Sequence, residues 1–228
     1  MLAFRQAVLR FIARELASYA LHGVLGPMRG RKAAPRDGAA PTILFIHGHG
    51  GGAGAFLPLE RALRRRGFGR FASYDYWARG SVDELAGALA RHVTENVPGP
   101  LHVIGHSLGG LIARVWLQEH GGRGRAVSLT TLSSPHGGVA VPAAGMLPVV
   151  RELLPGSPLL ARLEASSAAL DGLPCLSVIS SNDHFVRPWT RASFARARVE
   201  RVEHVGHVGV LFSGAVADLV AGHLRAAL

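Results

Sequence analysis

One cysteine, one lysine, few aromatic residues and no long uninterrupted apolar run mark this 228-residue chain. A single thiol, Cys175, excludes an intramolecular disulfide and leaves no second cysteine to complete a zinc site. It lies in Pro174-Cys175-Leu176-Ser177-Val178-Ile179, a strand-like run where a small buried hydrophobe is expected. With lysine almost absent (Lys32 alone), arginine carries the net charge of +10. The arginines are scattered apart from Arg64, Arg65 and Arg66, with no aromatic-interleaved basic stripe. Solvated charge is therefore expected, attraction to an anionic surface such as phospholipid is the alternative, and nucleic acid is not an expected partner. The twelve histidines form no recognisable zinc motif, and no acidic pair suggests calcium. No metal and no cofactor are expected.

What is present describes an apolar, folded chain: 48% hydrophobic and 18% charged residues, with room for one ordinary domain. Residues 1–40 separate from the rest as an amphipathic helix and a linker. Phe4, Val8, Phe11, Ile12, Leu16 and Tyr19 share one helical face, and Arg5, Arg10, Arg14, Glu15 and Ser18 lie largely off it. The helix is expected to pack on its own domain through that apolar face, or else to lie on a membrane surface. Arginine recurs through it, so no signal-peptide core is visible, and no other window reaches the length of a membrane span. A monomer in the cytoplasm or at a membrane periphery is the expectation. Gly26-Pro27 and the polar stretch 29–41 read as the linker.

From residue 41 onward, strands and helices alternate. Strands are predicted over 42–46, 71–76, 101–104, 126–132, 174–180 and 199–205. Helices are predicted over 55–66, from the capping box of Ser81 and Glu84 to about Val97, over 108–120 and over 210–228. That order implies an α/β fold with a mostly parallel sheet of about six strands covered on both faces. Residues 137–170 break the rhythm with a Pro-, Gly-, Leu- and Val-rich insertion of weak helical pattern.

The segment carrying chemistry is Leu101-His102-Val103-Ile104-Gly105-His106-Ser107-Leu108-Gly109-Gly110-Leu111: a buried strand, a Gly-x-Ser-x-Gly turn, then a helix. Such a nucleophile elbow needs glycine where side chains would strike neighbouring backbone, and its strain lifts the serine hydroxyl above the sheet. A serine hydroxyl is a weak nucleophile until a base takes its proton, and the base needs an orienting carboxylate. Asp183, just after the fifth strand, suits the acid; His207, past the last strand and flanked by glycines that would free its loop, suits the base. Asp75 precedes the serine, the wrong order for the acid, Asp171 precedes a strand rather than following one, and His204 is expected inside the last strand. The backbone amides of His49, in Phe45-Ile46-His47-Gly48-His49-Gly50-Gly51, and of Leu108 are the candidate oxyanion donors. His47 and His106 read as loop-holding residues.

The motifs Ile46-His47-Gly48-His49-Gly50-Gly51, Gly105-His106-Ser107-Leu108-Gly109-Gly110, Ser180-Ser181-Asn182-Asp183 and Val205-Gly206-His207-Val208-Gly209-Val210-Leu211, in this order, resemble the bacterial lipases of the α/β-hydrolase superfamily, most closely the compact six-stranded ones. The likeness runs from Thr42 to the C-terminus. It implies Ser107 as nucleophile, Asp183 as acid, His207 as base, His49 and Leu108 as oxyanion donors, and an acyl ester or lipid as substrate cleaved through an acyl-enzyme. Thioesterase, acyltransferase and amidase activities on the same triad remain open, as does a noncatalytic binding role. Ser134-Pro135-His136-Gly137-Gly138 resembles the segment that leads towards a cap in larger lipases. Val139, Val141, Met146, Leu147, Val149, Val150, Leu153, Leu154, Leu159 and Leu160 either line an acyl groove there or simply cover the sheet. The N-terminal helix has no counterpart in the compact lipases.

Overall fold

The computed structural model describes residues 2–26, 40–139 and 148–228. Most of the expected linker, together with Val141, Met146 and Leu147, lies outside them, as do the side chains of residues 2–12 and Arg14.

Six parallel strands form one sheet: β1 (Thr42–Ile46), β2 (Phe71–Tyr74), β3 (Leu101–His106), β4 (Ala126–Leu132), β5 (Cys175–Ser180) and β6 (Arg198–Val202), in the order β2-β1-β3-β4-β5-β6. The α/β expectation holds. β1, β3 and β5 are buried along their whole length because helices cover both faces, which is why they read as continuous apolar runs. The helices are α1 (Leu2–Leu25), α2 (Leu57–Arg64), α3 (Val82–Asn96), α4 (Leu108–Glu119), α5 (Pro148–Glu152), α6 (Pro158–Ala165) and α7 (Gly214–Ala226). α3 begins with the predicted capping box: the Ser81 hydroxyl accepts the Glu84 N–H and the Glu84 carboxylate accepts the Ser81 N–H.

Two hydrophobic layers sandwich the sheet. One joins α3, α4, α5 and α6 to the sheet; the other joins α2 and α7 to it. Of the insertion, Val139, Val149, Leu153, Leu159 and Leu160 belong to the first layer. Arg114 of α4, almost wholly buried, donates to the Leu163 carbonyl at 2.8 Å, as does Gln118. The first-turn N–H of Val82 is taken by Glu152 at 2.7 Å. These contacts tie α5 and α6 to α3 and α4.

Two expectations are corrected. The last strand ends at Val202, and His204 lies beyond it in the left-handed region at φ 59°. Asn182 Oδ1 accepts the His204 N–H at 2.9 Å and the Ser180 hydroxyl donates to the Val205 carbonyl, so side chains take backbone groups that a longer strand would have paired. The N-terminal helix, over its last three turns, turns its polar side inward: Glu15 and Ser18 are buried, and Leu16, Leu21 and Val24 are 66%, 47% and 71% exposed. No described helix is long and apolar enough to cross a membrane.

Because Leu159 is 5% exposed within the first layer, Leu159→Ala should destabilise the protein by about 2–5 kcal/mol. Denaturant titration checks this; a loss within about 0.5 kcal/mol, the range of surface substitutions, would mean that α6 is not part of the core.

Candidate active site

Ser107 sits between β3 and α4 with φ 52° and ψ −123°, a strained conformation for a non-glycine residue. The turn closes because its neighbours lack side chains. A β-carbon on Gly105 would lie 2.5 Å from the Gly110 nitrogen, and one on Gly109 would lie 2.1 Å from the Ile46 carbonyl oxygen. The Ser107 N–H donates to the Leu132 carbonyl at 2.9 Å, which fixes the elbow to β4.

The three side chains chosen from the sequence come together. His207 Nε2 lies 3.0 Å from the Ser107 hydroxyl oxygen, and its Nδ1 lies 2.7 Å from Asp183 Oδ2. Asp183 and His207 are buried and Ser107 is half-buried. The other Asp183 oxygen accepts the N–H groups of Phe185 and Val186 at 2.8 and 2.9 Å. Burial pushes the Asp183 carboxyl up, but the hydrogen bond and charge of His207 and these two amides outweigh it, and the carboxyl is held below its ordinary value. An ionised Asp183 therefore fixes the tautomer that leaves His207 Nε2 free to take the hydroxyl proton.

Neighbouring histidines frame this relay, as expected of loop-holding residues. His106 Nε2 donates to the His207 carbonyl at 2.9 Å, tying that residue's backbone to the strand that leads into Ser107. Burial, then the nearby His207, pushes His106 down to about 3, so it is neutral. His47 Nδ1 donates to the Gly48 carbonyl at 2.9 Å, and the Tyr76 hydroxyl donates to the His47 carbonyl at 2.7 Å. Asp75 accepts the Ala53 N–H at 2.6 Å and so braces the glycine-rich loop after β1; it is not part of the relay. Asp171 pairs with Arg196 at the surface.

The two expected oxyanion donors belong to segments that border Ser107. Leu108 opens α4, where first-turn N–H groups have no intrahelical partner. The loop carrying His49 abuts the nucleophile, since a β-carbon on Gly48 would lie 3.0 Å from the Ser107 β-carbon. The His49 side chain itself is exposed. Among the described residues no cluster of His, Cys, Asp and Glu could hold a metal ion.

Sequence reasoning missed two residues at the site. The Phe185 ring meets His207 edge-on at 5.0 Å between centroids; its place two residues after Asp183 was the only signal. Glu15, expected off the packed face of its helix, hydrogen-bonds instead to the His207 loop, and Gly206 and Gly209 are buried rather than free.

Comparison with known proteins agrees with this architecture. A thioesterase domain profile matches residues 41–148, somewhat under half of the chain. The mature lipase BlEst2 of Bacillus licheniformis superposes with a TM-score of 0.71 at 14% identity, covering 86% of this chain and 97% of the lipase. A bacterial membrane phospholipase A, described as a virulence factor, gives 0.58 at 20% identity over 99% of this chain and 96% of its own. A structure from a study of Nitrososphaera gargenis carboxylesterases gives 0.58 at 13% over 82% and 91%. No curated protein matches. The chain has the α/β-hydrolase fold, and its resemblance to bacterial lipases holds at the level of that fold.

The buried neutral histidines set a pH dependence. Burial lowers His106 to about 3, His102 to about 4, and His136 well below its ordinary value. In the unfolded chain all three take protons near pH 6.5, so as pH falls from there the unfolded state binds protons that the folded state refuses. Asp183 adds to the loss below about pH 4. The thermal midpoint should fall continuously from about pH 6.5 towards 3; a midpoint flat down to pH 4 would contradict the neutral assignments.

Proposed function

We propose that this protein is a serine hydrolase of carboxylic esters, lipase-like in substrate, working through an acyl-enzyme. The observation that carries the reading is the unbroken path from Asp183 through His207 to a Ser107 hydroxyl held on a strained elbow. In this mechanism His207 takes the hydroxyl proton as Ser107 Oγ bonds to the acyl carbon. The amides of Leu108 and His49 receive the oxyanion, and His207 returns the proton to the departing alkoxide. Water, deprotonated by His207, then releases the acid and restores the serine. The lipase, phospholipase and carboxylesterase among the structural neighbours favour an ester substrate.

A thioester would pass through the same acyl-enzyme, and the thioesterase domain match makes it the second reading. Hydrolysis of 4-nitrophenyl esters of increasing acyl length, a triglyceride emulsion and an acyl thioester separates these. Ester cleavage rising with acyl length and active on emulsion supports the lipase-like reading. Preference for the thioester replaces it with the second, and reaction with short soluble esters alone makes the protein an esterase. Ser107→Ala should lower kcat roughly 10⁴- to 10⁶-fold, and Asp183→Asn about 10⁴-fold, because the wrong histidine tautomer is then favoured. Activity surviving Ser107→Ala would overturn the mechanism.

Leu16 and Val24 of α1 are 66% and 71% exposed. With a net charge of +10, these side chains suit peripheral contact with an anionic lipid surface. A Leu16→Ser/Val24→Ser double variant should lose co-sedimentation with phosphatidylglycerol vesicles while keeping its rate on a soluble short ester. Unchanged sedimentation would remove α1 from membrane contact.

A further inference from the structure

α1 reaches the active-site loops from outside the sheet. Glu15 is only 9% exposed, and its Oε1 accepts the Gly206 N–H at 2.7 Å, one residue before His207. The loop is shaped around this carboxylate. A β-carbon on Gly206 would lie 1.9 Å from Glu15 Oε2, and one on Gly209 would lie 2.3 Å from Oε1. Neither glycine adopts a left-handed backbone, so space for the carboxylate, and not conformational freedom, is what these positions require.

The contact is costly to maintain. A carboxylate loses hydration on burial, and Glu15 Oε2 has no hydrogen-bond partner among the described residues. The compensation lies in what Oε1 holds, since a charged acceptor makes a stronger bond to an amide than a neutral one does. His106 holds the carbonyl of His207 and Glu15 holds the N–H of Gly206, so the backbone is pinned on both sides of the base. Further along α1, the Tyr19 hydroxyl lies 2.9 Å from His184 Nε2, next to Asp183. The His22 ring lies 3.2 Å from where a β-carbon on Gly51 would be, in the loop after β1. Residues 15, 19 and 22 follow helical spacing, so one face of α1 meets the base loop, the acid loop and the loop after β1.

We infer that Glu15 is a positioning residue for His207: its bond to the Gly206 N–H fixes the loop that holds the imidazole within reach of Ser107. This rests on the roles given to Ser107 and His207 under Proposed function.

The test counts competent sites with a fluorophosphonate and measures steady-state hydrolysis of a 4-nitrophenyl ester per counted site, which removes any effect of lost folded protein. Glu15→Ala should lower kcat by roughly 10- to 100-fold, the scale expected when a catalytic group is displaced by about 1 Å, with KM nearly unchanged. Glu15→Gln, which keeps an acceptor of the same reach, should recover most of that loss. Gly206→Ala, which displaces the carboxylate, should lower kcat about as much as Glu15→Ala does, yet cost little more in the Glu15→Ala background, because the group it strikes is gone. A kcat per site unaffected by Glu15→Ala, no rescue by Gln, or equal cost of Gly206→Ala in both backgrounds would overturn the inference. Hydrogen exchange in Ser107→Ala protein separates this failure from failure of the functional reading. If the wild type is inert and Ser107 unlabelled while Glu15→Ala still accelerates exchange at Gly206, the contact stands and the hydrolase reading falls. If exchange at Gly206 is unaffected, the contact does not constrain the loop.

Discussion

Between the end of β1 and the first turn of α4 the backbones touch with no room for a side chain, as the 2.1 Å approach of a Gly109 β-carbon to the Ile46 carbonyl makes plain. This close approach sets the position of everything else at the site. It brings the loop after β1 beside Ser107, and it holds Ser107 at φ 52°, with its hydroxyl lifted above the sheet. Such strain persists only where the surroundings over-determine it. Here β3 lies between β1 and β4 in the fully paired sheet, and the Ser107 N–H is committed to the Leu132 carbonyl.

The loop that carries His207 is governed by a second, subtler constraint. It has no regular structure of its own beyond the short turn at Gly209–Phe212, so its geometry comes from partners elsewhere in the chain. His106 reaches it from β3, Asp183 and Phe185 from the loop after β5, and Glu15 from α1. Three separate segments thus hold one loop and its imidazole. Sites built this way depend on the supporting residues for sub-ångström placement, which is why polar groups far apart in sequence converge on a single loop.

Much of this was legible in the sequence, where local rules and global fold agree. Ser81 and Glu84 announce the start of α3 by spacing alone, and the apolar runs at Thr42–Ile46 and Ala126–Leu132 become strands with those same bounds. Gly105 and Gly109 mark the elbow because their chemistry admits no other residue there. What could not be read depends on long-range partners. The end of β6 is decided by Asn182 and Ser180, about twenty residues earlier, and nothing in the alternating pattern of Arg198 to Glu203 reports them. The inward face of α1 was misread because Glu15 and Ser18 are polar, and only a loop with a matching N–H and two missing side chains turns a buried carboxylate into a contact. The insertion was ambiguous for a related reason: Leu159 and Leu160 would look alike in a groove or in a core, and their burial comes from packing against elements distant in sequence.

The central claim, that Ser107 is a nucleophile activated through His207, is tested most directly by peptide mapping after reaction with a long-chain alkyl fluorophosphonate. The account predicts a single adduct, on Ser107, formed by the wild type and lost in His207→Ala although the serine is retained. An unlabelled wild type, an adduct on another residue, or equal labelling without His207 would contradict it.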